Sequence, residues 1–164
     1  MIEDPLPGYR FLVTLDPTDA YLPLAQSALI TLVAAGQFQE VKGLGADLEV
    51  LAYPEGGVND YVHQLPVRHS WGRISLRRGV VRDLGLWFWY MAGLTQSLGA
   101  RRDGAILLLT PSGLPAIAWM FRAGLAVKWQ GPDLSGVQNA IAVESIEIAH
   151  EGLIQVPLSP PGVM

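Results

Sequence analysis

Alternating hydrophobic and polar positions predict several short strands in the first part of the chain. Residues 9–16 alternate in this way and predict a first strand. Residues 37–44 and 46–53 have the same two-residue period, and the glycines at 43 and 45 lie between them. The simplest interpretation is a hairpin that turns at Gly43 and Gly45.

A strand and then a helix are predicted for the middle of the chain. Residues 68–80 alternate so that one face is largely apolar and the other basic, which is typical of a half-solvated strand. After Asp83, a suitable N-cap, the period lengthens and predicts a helix over about 83–98. Residues 87–90 are four consecutive aromatics, so part of this girdle is expected to face a partner subunit. The apolar positions with helical spacing are Leu84, Trp87, Met91, Leu94 and Leu98.

The second half of the chain returns to strand patterns. Two apolar runs flank the turn composition at 111–113, and a third short run precedes residues 130–134. Residues 139–152 carry Ile141 and Val143 on one side and two later isoleucines on the other. This switch predicts a bulge near Glu144 and Ser145. The pattern as a whole predicts a mainly β (α+β) domain with one packed helix.

Length and hydrophobic content indicate one folded domain. The 164 residues are 50% hydrophobic and 16% charged, so the chain can bury a core and is expected to cover further apolar surface with neighbours. We predict a single domain over 1–164 with an irregular tail from about 156, where prolines oppose regular structure. Residues 20–36 fit either a helix or a buried strand.

Charge and targeting features narrow the function class. The net charge is −4 and the arginines are spread out, so a nucleic-acid footprint is absent. There is no cysteine, which excludes disulfides and cysteine chemistry. The N-terminus lacks a signal-peptide pattern, so we expect synthesis in the cytoplasm. The most apolar stretch, 22–36, is too short to span a bilayer, so no stable membrane insertion is predicted.

Histidines and tryptophans offer little chemistry. His150 and Glu151 match the first half of a zinc-protease helix, but the position for the second ligand holds Ile154. The three histidines, at 63, 69 and 150, are interpreted as surface or turn residues rather than as metal ligands. The five tryptophans, at 71, 87, 89, 119 and 129, are interpreted mainly as packing residues rather than as a ligand box.

Neither the carboxylates nor the glycines are arranged for catalysis or for phosphate binding. Strand alternation sends Glu144 and Glu147 to opposite faces, so we interpret 144–151 as a solvated or inter-subunit salt-bridging strand. No phosphate-binding glycine motif is present, and the pair Gly56 and Gly57 is left with a turn or a close packing role. We therefore predict no enzyme activity and no cofactor.

Long ordered segments resemble the tail-tube family of contractile phage tails and extracellular contractile injection systems. The resemblance covers almost the whole chain, and many ordered pieces carry it rather than one decisive motif. These pieces are GYRFLVTLD, GQFQEVKGLGADLEV through YPEGGVN, LPVRHSWGRISLRRGV leading into LWFWY, RRDGAILLLTPSGLPAIAWMFRAGLAVKWQGPDL and IAVESIEIAHEGL.

The resemblance implies a small antiparallel β-barrel or sandwich with a flanking helix and extended hairpin or loop arms. It implies an inner-tube subunit, six copies per ring, with rings stacked inside a contractile sheath that drives the tube out. Implied partners are sibling copies, sheath subunits, baseplate or spike-hub proteins, a tube cap, and protein or DNA cargo in the lumen. By similarity, the candidate contact residues are Glu55, Gly56, Gly57, Asn59, Phe88, Trp89, Lys128, Trp129, Gly131 and Pro132.

Two other functions stay open at this point. A related subunit forms the first ring of such tubes, joining them to the baseplate hub, and the sequence does not separate this initiator role from the main tube. A monomeric β-barrel that binds a small apolar ligand is the alternative from another class. Neither the cargo nor the residues that line the lumen follow from the sequence.

Overall fold

The computed structural model describes residues 6–16, 38–95 and 101–158. Within these ranges every strand pair is antiparallel and one helix is present, so the predicted mainly β fold is confirmed. The ambiguous segment 20–36 lies outside the described residues. In chain order the elements are β1 (Phe11–Leu15), β2 (Phe38–Lys42), β3 (Ala46–Tyr53), β4 (His63–Trp71), β5 (Ile74–Gly79), α1 (Gly85–Thr95), β6 (Arg102–Leu109), β7 (Pro115–Gln130), β8 (Val143–Ala149) and β9 (Gly152–Pro157).

Strand β7 organises the main sheet because its 16 residues take part in two groups of strands. Its N-terminal half pairs with β6 and β9, and β6 pairs with β1; we call these four strands the first half-sheet. Its C-terminal half pairs with β8, which pairs with β5, which pairs with β2; these form the second half-sheet. The strands β1 and β2 therefore lie at the two ends of the strand order.

The corner between the half-sheets falls at Ala123, whose φ of 51° is in the left-handed region. Its backbone N–H donates to an Asp103 carboxylate oxygen at 2.8 Å, which helps to hold this unfavourable conformation. The register with β6 shifts at the same place, as in a β-bulge. A bulge bends the strand, which allows β7 to serve both half-sheets.

The hydrophobic core lies between the inner faces of the two half-sheets and one side of α1. Side chains from all three layers belong to one buried cluster, in which Trp89 and Ile74 are 0% exposed. Helix α1 packs against β7. The helix starts where predicted, since Asp83 accepts a hydrogen bond from the Gly85 N–H at 3.2 Å.

Strands β3 and β4 form a separate two-stranded ribbon, which we call the arm (residues 46–71). The arm continues the pair β2–β5: β2 leads into β3, and β4 leads back into β5. Three glycines mark the junction. Gly43 has a φ of 85°, and a Cβ there would lie 1.8 Å from the Arg73 carbonyl oxygen; one at Gly72 would lie 3.0 Å from the Gly43 carbonyl. The Gly72 N–H donates to the Gly45 carbonyl at 2.9 Å.

This arrangement corrects the predicted hairpin between residues 37–44 and 46–53. These two strands do not pair with each other, because β2 pairs with β5 and β3 pairs with β4. The glycines at 43 and 45 form a bend along one strand instead of a reversal. The strand predicted over 68–80 is likewise interrupted at Gly72, while the predicted apolar face is confirmed for β5 by the buried side chains of Ile74 and Leu76.

The predicted bulge near Glu144 and Ser145 is also wrong. Strand β8 pairs with β5 in unbroken register from Val143 to Ile148, and the irregularity on its other side lies in β7. Glu144 lies on the buried face together with the isoleucines, and an ion pair makes this possible. The third short apolar run, which was expected before residues 130–134, is the end of β7. Strand β9 ends at Pro157, so regular structure continues past residue 156, where the irregular tail was predicted to begin.

The buried side of α1 differs from the positions that predicted the helix. Leu84 is 57% exposed and Leu94 is 63% exposed, whereas Leu86, Trp89 and Ala92 are buried. Both sides of this helix are apolar, so periodicity finds the helix without choosing its inner face. Among the described residues, no helix has the length and apolar character that a membrane crossing requires.

We expect Gly43→Ala to lower the free energy of unfolding by about 2 kcal/mol or more, because alanine disfavours the left-handed φ and its Cβ would overlap a backbone oxygen. Urea denaturation followed by circular dichroism measures the change. Gly56→Ala is the control: no atom lies within 4 Å of a Cβ there, so we expect a change within about 0.5 kcal/mol. Equal effects for both variants would show that the bend at Gly43 is not a steric requirement.

Candidate subunit interface

Four of the predicted contact residues lie together at the tip of the arm. Glu55 begins a four-residue turn that is closed by a 3.2 Å bond from the Val58 N–H to the Glu55 carbonyl. Gly57 occupies the third position with a φ of 89°, the conformation that favours glycine there. The Glu55 carboxylate lies 2.8 Å from His63 Nε2, and the Tyr61 ring packs edge-on against His63 at 5.1 Å.

The glycine pair therefore shapes a turn within the chain. Among the described residues, apart from the chain neighbours, nothing lies within 4 Å of a Cβ built at Gly56 or Gly57. Asn59 is exposed beside them. Within the chain, close backbone approach occurs at Gly43 and Gly72, where the arm leaves the sheet. Close approach of a neighbouring subunit to Gly56 and Gly57 stays a prediction.

The arm exposes apolar side chains on both faces. Leu51 and Leu65 are directly opposite each other on one face, and Leu48 and Val50 lie on the other. No described element packs over either face, and almost every residue of β3 and β4 is exposed. The exposed apolar side chains of the arm are Leu48 (58%), Val50 (49%), Leu51 (54%), Tyr53 (53%), Tyr61 (59%), Val62 (45%), Leu65 (44%) and Val67 (59%).

The two candidates on α1 have different environments. Trp89 is 0% exposed and packs in the core of its own chain, so it offers no surface to a partner. Phe88 is half-buried. The four consecutive aromatic residues 87–90 were expected not to be buried together on one side of the helix. Trp87 agrees with this expectation, since it is 36% exposed and its ring packs edge-on against that of Trp129, with 4.8 Å between the ring centroids.

The candidate contact residues at the end of β7 make contacts within their own chain. Lys128 is exposed and lies 3.3 Å from Glu147 on the neighbouring strand. Trp129, on the opposite face, is half-buried and donates its indole N–H to Glu144 at 3.2 Å. A Cβ at Gly131 would lie 2.8 Å from the Trp129 ring, so this glycine makes room for the indole. Pro132 follows, half-buried.

A buried ion-pair network links the second half-sheet to the start of α1. Arg78 is 3% exposed and contacts Glu144 at 2.7 Å and Asp83, the helix N-cap, at 3.1 Å. Glu144 also accepts the hydrogen bond from Trp129. The interpretation of Glu144 as part of a solvated strand is therefore wrong. Glu151, in contrast, pairs with Arg101 at the surface.

The outer face of the second half-sheet is charged. Lys42 donates a 2.7 Å hydrogen bond to Glu40, and this contact lowers the pKa of the Glu40 carboxyl, which stays ionised at mildly acidic pH. Arg73 and Lys128 both pair with Glu147. These side chains alternate with the buried isoleucines of the core, so this half-sheet has one apolar and one water-compatible face.

The outer face of the first half-sheet is apolar. Leu12, Met120 and Ile154 are 42%, 50% and 58% exposed. Met120 and Ile154 are register partners, and Leu12 is paired with Leu107, so these side chains form adjoining rows. Exposed rows of this kind mark a surface that is covered by another protein or segment.

The loop 131–142, between β7 and β8, is a further exposed apolar region that the sequence interpretation missed. Leu134 is 82% exposed, Val137 is 94% exposed and Ile141 is 79% exposed. Their isolated positions among glycine, serine and asparagine form no periodic pattern, so the residues suggested only a loop. The sequence did contain one signal of this exposed region, namely large apolar side chains within a segment of turn-like composition.

The candidate residues are spread over three places. Four lie at the tip of the arm, two lie on α1, and those of β7 extend from Lys128, whose register partner is Glu147, to Pro132 in the loop 131–142. The arm leaves after Lys42 and returns at Ile74, and the register places this end beside Ala149 of β8. The loop 131–142 joins the other end, next to Gly79 and Val143. The tip candidates and the β7 candidates therefore do not form one site. Among the described residues, no cluster of side chains suits a metal ion.

The sequence over residues 7–154 matches the family model for the T4-like virus tail tube protein gp19. The match spans most of the chain, and the chain belongs to this tail tube family. The resemblance drawn from its sequence is confirmed, and the chain is a tube-type structural subunit. The comparison with curated proteins found no match.

Solved structures of injection-system proteins share the fold. A chain of the anti-feeding prophage (AFP) baseplate, described as six-fold symmetrised, has a TM-score of 0.78 and 24% identity over 94% of this chain and 97% of that chain. A chain of the extended PVC sheath–tube complex, an extracellular contractile injection system, has a TM-score of 0.76 and 21% identity, covering 96% and 95%. Hcp1 from Flavobacterium johnsoniae has a TM-score of 0.50 and 14% identity, covering 88% and 93%.

We expect Glu144→Gln to lower the free energy of unfolding by about 3 kcal/mol, because it leaves the buried Arg78 charge with a weakened partner set. Chemical denaturation at neutral pH measures this change. Glu147→Gln is the control on the same strand: its side chain is 30% exposed and faces outward, so we expect a loss below about 1 kcal/mol. A smaller loss for Glu144→Gln than for the control would contradict a structural role of the buried pair.

Proposed function

We propose that this chain is the inner-tube subunit of a contractile injection system or contractile phage tail. Six copies form a ring, and rings stack into a hollow tube that sheath contraction drives out to deliver cargo. The family membership supports a tube-type subunit, and the AFP and PVC structures with the same fold belong to such particles. By analogy with these particles, its partners are sibling copies, sheath subunits, baseplate or spike-hub proteins and a tube cap.

The arm is the observation that carries this proposal. A two-stranded ribbon with both faces exposed is marginally stable in water, and this one holds eight large apolar side chains away from the core. Each strand of the arm has eight or nine residues, which at about 3.3 Å per residue gives a projection of roughly 26 Å. A projection of this length and composition is explained by contact with other subunits.

The strand order supports closure into a ring. Strands β1 and β2 are at its two ends, and β9, which pairs only with β7 among the described strands, is a further edge. Unpaired strand edges invite pairing with other chains. In a closed ring each edge can meet the neighbouring copy, and no edge is left for uncontrolled aggregation. The number six is taken from the six-fold symmetrised AFP structure, which shares the fold.

The difference between the two outer faces supports an assignment of the lumen. A water-filled channel requires a polar wall, which the charged outer face of the second half-sheet provides. The apolar outer face of the first half-sheet instead requires cover from another protein surface. We therefore assign the second half-sheet to the lumen, with protein or DNA as cargo, and the first to protein contacts.

An initiator ring that joins the tube to the baseplate hub is the second candidate, because an AFP baseplate chain has the same fold. The two roles differ in copy number. Quantitative mass spectrometry of purified particles, with the sheath subunit as reference, separates them. A ratio near one tube subunit per sheath subunit supports the main tube, and a single ring per particle supports the initiator.

We expect the purified chain to form rings and short tubes, visible by negative-stain electron microscopy and by mass photometry at multiples of six chains. Leu51→Glu is expected to reduce the assembled fraction about tenfold or more, because it places a charge in a dehydrated contact. Its melting temperature should stay unchanged, since Leu51 contacts no core residue.

Leu51→Met serves as the matched control, because it keeps the apolar area and should assemble normally. A wild-type chain that stays monomeric at high concentration would contradict the proposal. It would favour the monomeric ligand-binding alternative, for which an apolar cleft of about 310 Å³ lies between β1 and β2, lined by Phe11, Val41, Leu108 and Trp119 among others.

A further inference from the structure

The outer face of the second half-sheet carries an excess of positive charge. Among the described residues, this face presents four cations, at positions 42, 73, 77 and 128, against the carboxylates of Glu40 and Glu147. Asp133, in the loop 131–142, adds a third carboxylate at the margin of the face. The chain as a whole has a net charge of −4, so this face differs in sign from the rest of the protein.

Arg77 differs from the other cations of this face. The other three pair with Glu40 or Glu147, whereas among the described residues no carboxylate lies within ion-pair distance of Arg77. Arg77 is exposed between two buried neighbours on β5, so its side chain faces outward. A guanidinium group presents several N–H donors in a flat fork that matches a carboxylate. Arg77 is therefore available to bind an acidic group from outside the chain.

Arg77 lines a cleft that is large enough for a short segment of a polypeptide. The cleft has a volume of about 480 Å³ and lies between the loop 131–142 and the outer face of the second half-sheet. Its lining includes the polar side chains of Ser75, Ser145 and Gln138 and the apolar side chain of Ile141. This volume is usual for a ligand site, and one chain supplies the whole lining. We call it the Arg77 cleft.

We propose that the Arg77 cleft binds an acidic segment of a polypeptide cargo, with a cargo carboxylate on the Arg77 guanidinium. The proposal rests on the proposed function, in which this face lines the lumen, and it names the chemical class of the cargo. Each copy in a ring then contributes one cleft to the lumen wall. A cargo chain with several acidic segments can bind several copies at once, so contacts that are weak singly retain it together.

Two features of the face favour a polypeptide over a nucleic acid. The carboxylates of Glu40, Glu147 and Asp133 lie among the cations, and the closely spaced phosphates of DNA would face these carboxylates as well. A polypeptide can instead place its few carboxylates beside Arg77 alone. The apolar part of the cleft lining also matches aliphatic side chains rather than a phosphate backbone.

A binding measurement with defined peptides tests the proposal. Assembled tubes are titrated into a short fluorescein-labelled peptide of glutamate, leucine and glycine, and fluorescence anisotropy reports the bound fraction. The reference is the same peptide with glutamine in place of glutamate. We expect the acidic peptide to bind about tenfold more tightly or better, because only its carboxylate forms a charged pair with Arg77. Added salt should weaken the binding of the acidic peptide.

A pair of charge variants separates the cleft from the general charge of the face. Arg77→Gln is expected to weaken binding of the acidic peptide about tenfold. Arg73→Gln is the matched control: it removes the same charge from the same face, but Arg73 pairs with Glu147 and does not line the cleft, so we expect a change below about threefold. Equal losses for the two variants would overturn the proposal.

Filling the cleft gives a second measurement that leaves every charge in place. Ala140 is exposed in the loop and lines the cleft, so Ala140→Trp should weaken binding of the acidic peptide about tenfold by occupying its space. Ser135→Trp, in the same loop but outside the cleft lining, should bind as the natural chain does. This pair tests the proposal even if Arg77→Gln does not fold.

The remaining outcomes distinguish the proposal from the proposed function. Tubes that bind both peptides equally would overturn the proposal and leave the tube role intact. Tighter binding of a single-stranded oligonucleotide than of the acidic peptide would do the same and indicate a nucleic-acid cargo. Folded Arg77→Gln chains that no longer form tubes would show that the cleft binds another copy instead of cargo. A natural chain that forms no tubes at all would contradict the proposed function, and the cargo site with it.

Discussion

The pairing of β2 with β5 and its extension into β3 with β4 determines most of what this chain presents to others. At one end this ribbon belongs to the core, where Ile74 and Leu76 are buried among the side chains of two half-sheets and a helix. At the other end it leaves the core and has no cover of its own. Gly43 makes the change of direction possible, because only glycine fits its positive φ beside the Arg73 carbonyl.

The buried network around Arg78 has a related effect on the opposite end of the half-sheet. A guanidinium group in the core requires partners, and Glu144, Asp83 and the Trp129 indole connect β5, β8, β7 and the start of α1 around it. The elements from which the loop 131–142 and the segment 80–82 emerge are thereby fixed relative to one another.

The sequence predicted most of the strands, the helix and its N-cap at Asp83, because these depend on local periodicity and capping. It did not predict β9 or the first part of β4. It did not predict which strands pair. Gly43 and Gly45 have a turn composition, and whether the chain reverses or bends there depends on Arg73, thirty residues away. The bulge assigned near Glu144 failed for a similar reason, since a glutamate counts as polar until its partner Arg78 is known.

The candidate site was predictable only in part. The composition of residues 53–60 predicted a turn, and the structure has one at Glu55–Val58. The contact role of the tip and of Trp129 was assigned by the family resemblance and stays a prediction. Trp89 was misassigned because both sides of α1 are apolar, so the sequence does not show which side of the helix packs against the core. The loop residues Leu134, Val137 and Ile141 were missed because isolated apolar side chains without a period carry no secondary-structure signal.

The ribbon that continues from β2 and β5 into the arm also determines how the chain responds to a pulling force. Hydrogen bonds between antiparallel strands run perpendicular to the strands. A pull on the arm along the ribbon therefore loads the bonds between β5 and β8, which join the ribbon to the rest of the sheet, in shear and distributes the force over all of them. A pull across the ribbon would open the same bonds one after another. A subunit that is pulled by its arm along the strand direction therefore resists rupture in its strongest orientation.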